Sequence, residues 1–124
     1  MPKYGSDCSG FVSFAWGLKR KTTYDFVTGI NAGTYLKVGN YNPSNLNNKE
    51  LEKAYQKLKK GDAVVFRRIN KQTNKVEGHT FLIAENDTKN SKVYAYEQTP
   101  YKAAYKSHSY SSMAGMLYMP FSKK

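Results

Sequence analysis

A single cysteine, Cys8, stands in this chain of 124 residues, together with one tryptophan and only two histidines, His79 and His108. One thiol excludes an intramolecular disulfide and any metal centre built from several cysteines. No His/Cys/carboxylate cluster is apparent in the sequence, so neither a metal nor a cofactor is expected. No apolar run approaches the roughly 18 residues that a membrane-spanning helix needs, so no membrane span is expected. The opening stretch MPKYGSDCSG also lacks the basic segment and apolar core of a secretory signal.

Acidic residues are scarce as well. Nine Asp+Glu face 20 Lys+Arg, for a formal charge of +11. That excess favours anionic partners: nucleic acid, an acidic membrane surface or an anionic cell-wall polymer. The basic residues form no concentrated block and accompany no base-reading motif, so nucleic acid is not expected as the partner. What is present argues for a folded chain. Hydrophobic residues make up 40% and the tyrosines number 11, enough for a single domain over residues 1–124, expected to be monomeric, rather than a disordered segment.

Periodicity divides the chain into a helical first part and a strand-rich second part. CSGFVSFAWGL, from Cys8 to Leu18, spaces Phe11, Val12, Phe14, Ala15 and Leu18 as one helix face, with Ser6 or Asp7 able to cap it. Residues Thr23 to Asn48 look largely irregular, with short helical turns at most. Asn47 and Glu50 then make a capping box for a helix carrying Leu51, Ala54, Tyr55 and Leu58, which stops before Lys59-Lys60-Gly61. DAVVFRRI, GHTFLIAE and KVYAYEQ read as strands separated by the turns NKQTNK and ENDTKNS, and Pro100 ends the third. MAGMLYMP, from Met113 to Pro120, reads as a returning last strand. Helices followed by antiparallel strands define an α+β domain.

The chemistry-bearing residues fall at meaningful places in this layout. Cys8 sits where the first helix begins, and a helix N-terminus stabilises a thiolate. Backbone N–H groups near Cys8 and Ser9 are placed to hold an oxyanion. His79 opens the GHTFLIAE strand. Pairing across the ENDTKNS turn brings Glu97 back towards it, which supplies an imidazole–carboxylate pair. His108 lies in the hydrophilic stretch YKSHSYSS and is set aside.

DCSGFVSFAWGL resembles the nucleophile helix of the NlpC/P60 family of papain-like cysteine peptidases. LKKGDAVVFRR resembles its Gly-Asp turn and first central strand, GHTFLIAE its histidine strand, and KVYAYEQT the strand of its third polar residue. The resemblance implies a papain-like fold with an N-terminal nucleophile helix packed on a small antiparallel sheet. It implies Cys8 as nucleophile, His79 as general base and then acid, and Glu97 as the residue that orients His79. An acid at that third position is closer to the related CHAP amidases. Asp7 and Ser9 would support substrate or oxyanion, and Tyr4 would stand for the family's active-site tyrosine. Only seven residues precede Cys8, so the chain is read as an excised or N-terminally shortened domain.

The function so implied is hydrolysis of an amide bond in peptidoglycan, by a stem-peptide or cross-link endopeptidase or an N-acetylmuramoyl-L-alanine amidase. Peptidoglycan or muropeptides would be the partners, with anionic wall polymers attracted by charge. The enzyme would be secreted or wall-associated, as part of a larger or otherwise exported protein. Two alternatives remain: an inactive wall-binding domain, and a thiol acyltransferase or lipid hydrolase of the same superfamily.

Overall fold

A computed structural model describes residues 12–13, 15–18, 22–98 and 103–123. Its strands, numbered along the chain, are β1 (Leu36–Lys37), β2 (Ala63–Asn70), β3 (Lys75–Asp87), β4 (Lys92–Gln98), β5 (Ala103–Ser109) and β6 (Met119–Ser122). The helices are α1 (Thr23–Ala32), α2 (Asn48–Tyr55) and α3 (Tyr110–Gly115). All strand pairs are antiparallel and form one sheet ordered β1-β6-β2-β3-β4-β5. The protein is an α+β fold.

The Gly-Asp turn launches the sheet. Gly61 lies at φ 94°, a left-handed conformation that glycine adopts without a Cβ clash. Asp62 accepts a hydrogen bond from the Lys59 N–H at 2.9 Å. The Gly61 N–H donates to the Ile83 carbonyl and the Ile83 N–H to the Asp62 carbonyl, at 2.9 and 2.8 Å, so the turn also pins β2 to β3. Trp16 Nε1 donates to the Gly61 carbonyl at 2.8 Å, tying the helical residues Val12, Ser13 and Ala15 to the same point.

Strand alternation then sorts the core into two layers. Val64 and Phe66 stand opposite Phe81 and His79 on one face. Tyr118 packs there against Phe66 and Phe81. α2 and α3 join this layer: Tyr55 Oη donates to the Tyr118 carbonyl at 2.7 Å, and Asn86 bridges Tyr55, Leu58 and Tyr110. Ala63 and Val65 point to the other face with Phe121 and Met119 of β6. On that side Trp16, Phe26, Tyr35 and Phe121 form a four-ring cluster with centroids 5.2–6.0 Å apart. Full burial of side chains such as Phe26 and Phe121 contributes roughly 1.5–3 kcal/mol each.

Three elements differ from the sequence expectation. Residues Thr23 to Ala32 form a ten-residue helix, not an irregular segment. Thr22 and Asp25 make a reciprocal capping box, and Phe26 and Ile30 anchor one face in the core, which overrides the weak propensity of its β-branched residues and Gly29. Met113 does not start a strand, because Ser109 caps α3 through a bond from the Ser112 N–H, and β6 begins only at Met119. Ala103–Ser109, expected as a connection, is the edge strand β5. An edge strand buries little, so its polar, small-residue composition hides it from a hydrophobicity pattern.

Two further backbone positions bear on stability. Leu117 follows α3 at φ 61°, with its own N–H bonded to the Ala114 carbonyl and the Tyr118 N–H to that of Met113. A glycine would close this helix end freely, whereas an L-residue in that conformation costs about 1–2 kcal/mol. Gly39 lies at φ 89°, and a Cβ there would meet the Ala54 Cβ at 2.5 Å and its Cα at 2.6 Å. Conformational strain and overpacking therefore combine. Gly39→Ala is expected to lower stability by about 2–4 kcal/mol in urea unfolding, and an unchanged midpoint would show that the loop can lift off α2.

Candidate active site

His79 is positioned by its neighbour Gly78. A Cβ at Gly78 would stand 2.9 Å from Thr23 Oγ1 and 3.0 Å from the Phe66 carbonyl oxygen. The missing side chain lets the start of α1 lie directly on β3, and the following residue projects from the opposite face. There His79 stands across from Phe66. The β3–β4 ladder runs out to the pair Leu82 and Tyr96, after a register shift between Ile83 and Glu85. Extending it by one step sets Glu97 beside Phe81, on the face that carries His79.

Glu97 is 4% exposed and holds two imidazoles. Its Oε1 lies 2.7 Å from His79 Nε2 and its Oε2 lies 2.5 Å from His108 Nε2. His108 comes from β5, opposite Val93, and its ring stacks on Phe81 at 4.4 Å with an interplanar angle of 9°. Ala95 lies between Val93 and Glu97 on this face of β4, and its small side chain leaves room for His108 to reach the carboxylate. Both histidines are about three-quarters buried.

The charge state of Glu97 fixes which ring atoms carry protons. Burial pushes its carboxyl up, but hydrogen bonds from His108 and His79, with their charge, outweigh burial and lower it to about 2. At neutral pH Glu97 is therefore a carboxylate and accepts only, so both Nε2 atoms must be donors. A neutral His79 with its proton on Nε2 carries its basic lone pair on Nδ1. That is the arrangement a general base needs: one nitrogen held by an orienting carboxylate, the other basic.

The sequence reading named six site residues, and the described structure contains two of them. His79 and Glu97 are brought together. Tyr4, Asp7, Cys8 and Ser9 lie outside the described residues. His108 was set aside in the sequence and belongs to the constellation. Its only legible signal was the alternation of AYKSHS, which places His108 on the inward face once that segment is taken as a strand. Trp16, eight residues beyond Cys8, packs on Phe121 and so on the face opposite His79.

Among the described residues no group of three or more His, Cys, Asp or Glu could hold a metal ion, and no helix is long and apolar enough to cross a membrane. No protein-family model, curated protein or solved structure matches this chain.

The lowered Glu97 pKa links this site to stability. Its stabilising contribution is fully present above the unfolded carboxyl value near 4.5 and is lost as pH falls through about 2. The size of the shift corresponds to on the order of 3 kcal/mol. Urea unfolding at intervals from pH 5 to pH 2 should show a loss of this order in the native protein. Glu97→Gln should remove that part of the slope, and an identical slope in both proteins would separate Glu97 from acid unfolding.

Proposed function

We propose that this protein is a thiol-dependent hydrolase of peptidoglycan amide bonds, with Cys8 as nucleophile, His79 as base and acid, and Glu97 as the residue that orients His79. The observation that carries this reading is the buried carboxylate on His79 Nε2, which makes Nδ1 the basic atom. In the reaction, His79 Nδ1 takes the thiol proton and Cys8 Sγ attacks the amide carbonyl carbon. The C–N bond then breaks as His79 protonates the leaving amine. Water, deprotonated by His79, hydrolyses the resulting thioester and regenerates the thiol. Glu97 keeps the ring oriented and stabilises the imidazolium in both halves. Ser9 supports the oxyanion, and Asp7 and Tyr4 border the substrate. The net charge of +11 attracts the protein to an anionic wall in a salt-sensitive way.

This mechanism requires Cys8 Sγ within reach of His79 Nδ1. Defined muropeptides incubated with the intact protein, Cys8→Ala and His79→Ala, then read by mass spectrometry, test it directly. A new amide cleavage is expected with the intact protein only, with His79→Ala slower by roughly 10²–10⁴-fold. Product masses identify the bond. Cleavage that survives Cys8→Ala would remove the thiol from the mechanism.

A second reading, a wall-binding domain without turnover, is favoured by one surface. Tyr94, Tyr96 and Tyr105 project from the face opposite Glu97, with Tyr105 stacked on Tyr94 at 5.9 Å and edge-on to Tyr96 at 5.2 Å. Tyr96 and Tyr105 are exposed, and such flat rings suit sugar faces. Binding of intact wall by both the native protein and Cys8→Ala, with no products from either, would select this reading.

A further inference from the structure

The β1 edge of the sheet carries two recesses that meet. One, of about 310 Å³, lies along α2 and its final turn, between Asn40, Lys53 and Lys57. The other, of about 320 Å³, lies between β1 and the turn that ends at Asp62, with Lys37, Val38, Lys57 and Lys59 in its wall. Lys57 lines both, and Val38 and Asn40 stand on either side of Gly39. A Cβ at Gly39 would come within 2.5 Å of the Ala54 Cβ, and Ala54 lines the first recess. The loop therefore lies directly on α2 where the two recesses join, and together they make one elongated groove.

Its charge is uneven. Four lysines, Lys37, Lys53, Lys57 and Lys59, face two carboxylates, Glu50 and Asp62. Asp62 is already engaged by the Lys59 N–H at 2.9 Å. Lys37 is held in place, because its Nζ donates to the Tyr41 carbonyl at 2.8 Å and lies 5.5 Å from the centre of the Tyr41 ring. An ammonium has three donors, so two remain for a ligand. Lysines act as point charges, which suits a flexible chain of anions better than one planar group. Among the described residues no aromatic side chain lines either recess, so the groove offers no platform on which a nucleobase would stack.

We propose that this groove binds a linear phosphodiester polymer without bases, of the poly(glycerol phosphate) type. β1 stands at one end of the sheet, three places from β3, or about 14 Å at the usual strand spacing. A polymer held there tethers the protein to an anionic surface and leaves the His79–Glu97 site free. This binding is independent of the amide-hydrolase reading, since a protein that cleaves no muropeptide would still hold the polymer.

Titration of the full chain with short poly(glycerol phosphate), followed by amide NMR and calorimetry, tests the groove. The Gly39, Lys53 and Lys57 amides should shift, while those of His79 and Glu97 should not. Lys53→Gln with Lys57→Gln should weaken binding about tenfold, whereas Lys71→Gln with Lys75→Gln, which removes the same charge beside the β2–β3 turn, should weaken it less than about twofold. All four lysines are exposed, and an unchanged Tm would verify that both double variants keep the fold.

Equal weakening by the two double variants would reduce the effect to net charge and overturn the site. So would amide shifts that leave Gly39 and Lys57 unmoved. Tighter binding of a single-stranded oligonucleotide with the same number of phosphates would replace the polymer by nucleic acid. Binding only to vesicles of phosphatidylglycerol and phosphatidylcholine would replace it by a membrane surface, and either result rejects the proposal. A hydrolase that ignores the polymer would lose the groove alone, and a polymer-binding protein without turnover would keep it.

Discussion

A carboxylate withdrawn from water needs partners, and Glu97 has one for each oxygen. Removing an ion from solvent costs several kcal/mol, and breaking a buried pair by deleting one partner typically costs about 3–5 kcal/mol. Three strands must therefore keep their relative positions: β4 to present Glu97, β3 to present His79 and β5 to present His108. Phe81 reinforces the arrangement by stacking on the second ring. Imidazole orientation and stability here share one group. The carboxylate that fixes the His79 tautomer also makes the polar edge strand β5 part of the fold.

The remaining architecture keeps that group at the boundary between two layers. Tyr118, Tyr55 and Tyr110 build one side, with the Tyr55 hydroxyl bonded to the Tyr118 carbonyl and the Tyr110 hydroxyl to Asn86. Trp16, Phe26, Tyr35 and Phe121 build the other with ring edges and faces. Gly78 links the layers, because its bare Cα allows Thr23 on one side while His79 projects to the other.

Much of this was legible where burial is one-sided and patterned. AVVF, FLI and VYAYE announce their strands by apolar content, and Asn47 with the Leu51, Ala54 and Tyr55 stripe announces α2. The His79–Glu97 pair followed from hairpin register alone. Legibility failed where packing decides. Gly29 and the β-branched residues of α1 obscured a helix that its Thr22–Asp25 cap and the core contacts of Phe26 and Ile30 secure. Met113 and Ala114 are compatible with helix or strand until the Ser109 cap and the turn at Leu117 choose. His108 was missed for the same reason as β5. Its partner is a carboxylate on the adjacent strand, and a contact of that kind leaves no periodic trace in composition.

The place of β6 carries a consequence for biosynthesis. Its residues pair with β2 on one side and β1 on the other, although both partners leave the ribosome long before it. Until residues 119–122 emerge, Ala63 to Val65 expose an unfilled edge, and Phe121 is absent from its aromatic cluster. Hairpins β2–β3 and β3–β4 can form early from local contacts, while closure of the sheet waits for a distant strand. During that interval the nascent chain presents an adhesive edge, which makes the time before residue 119 emerges the moment at which a holding chaperone has most to protect.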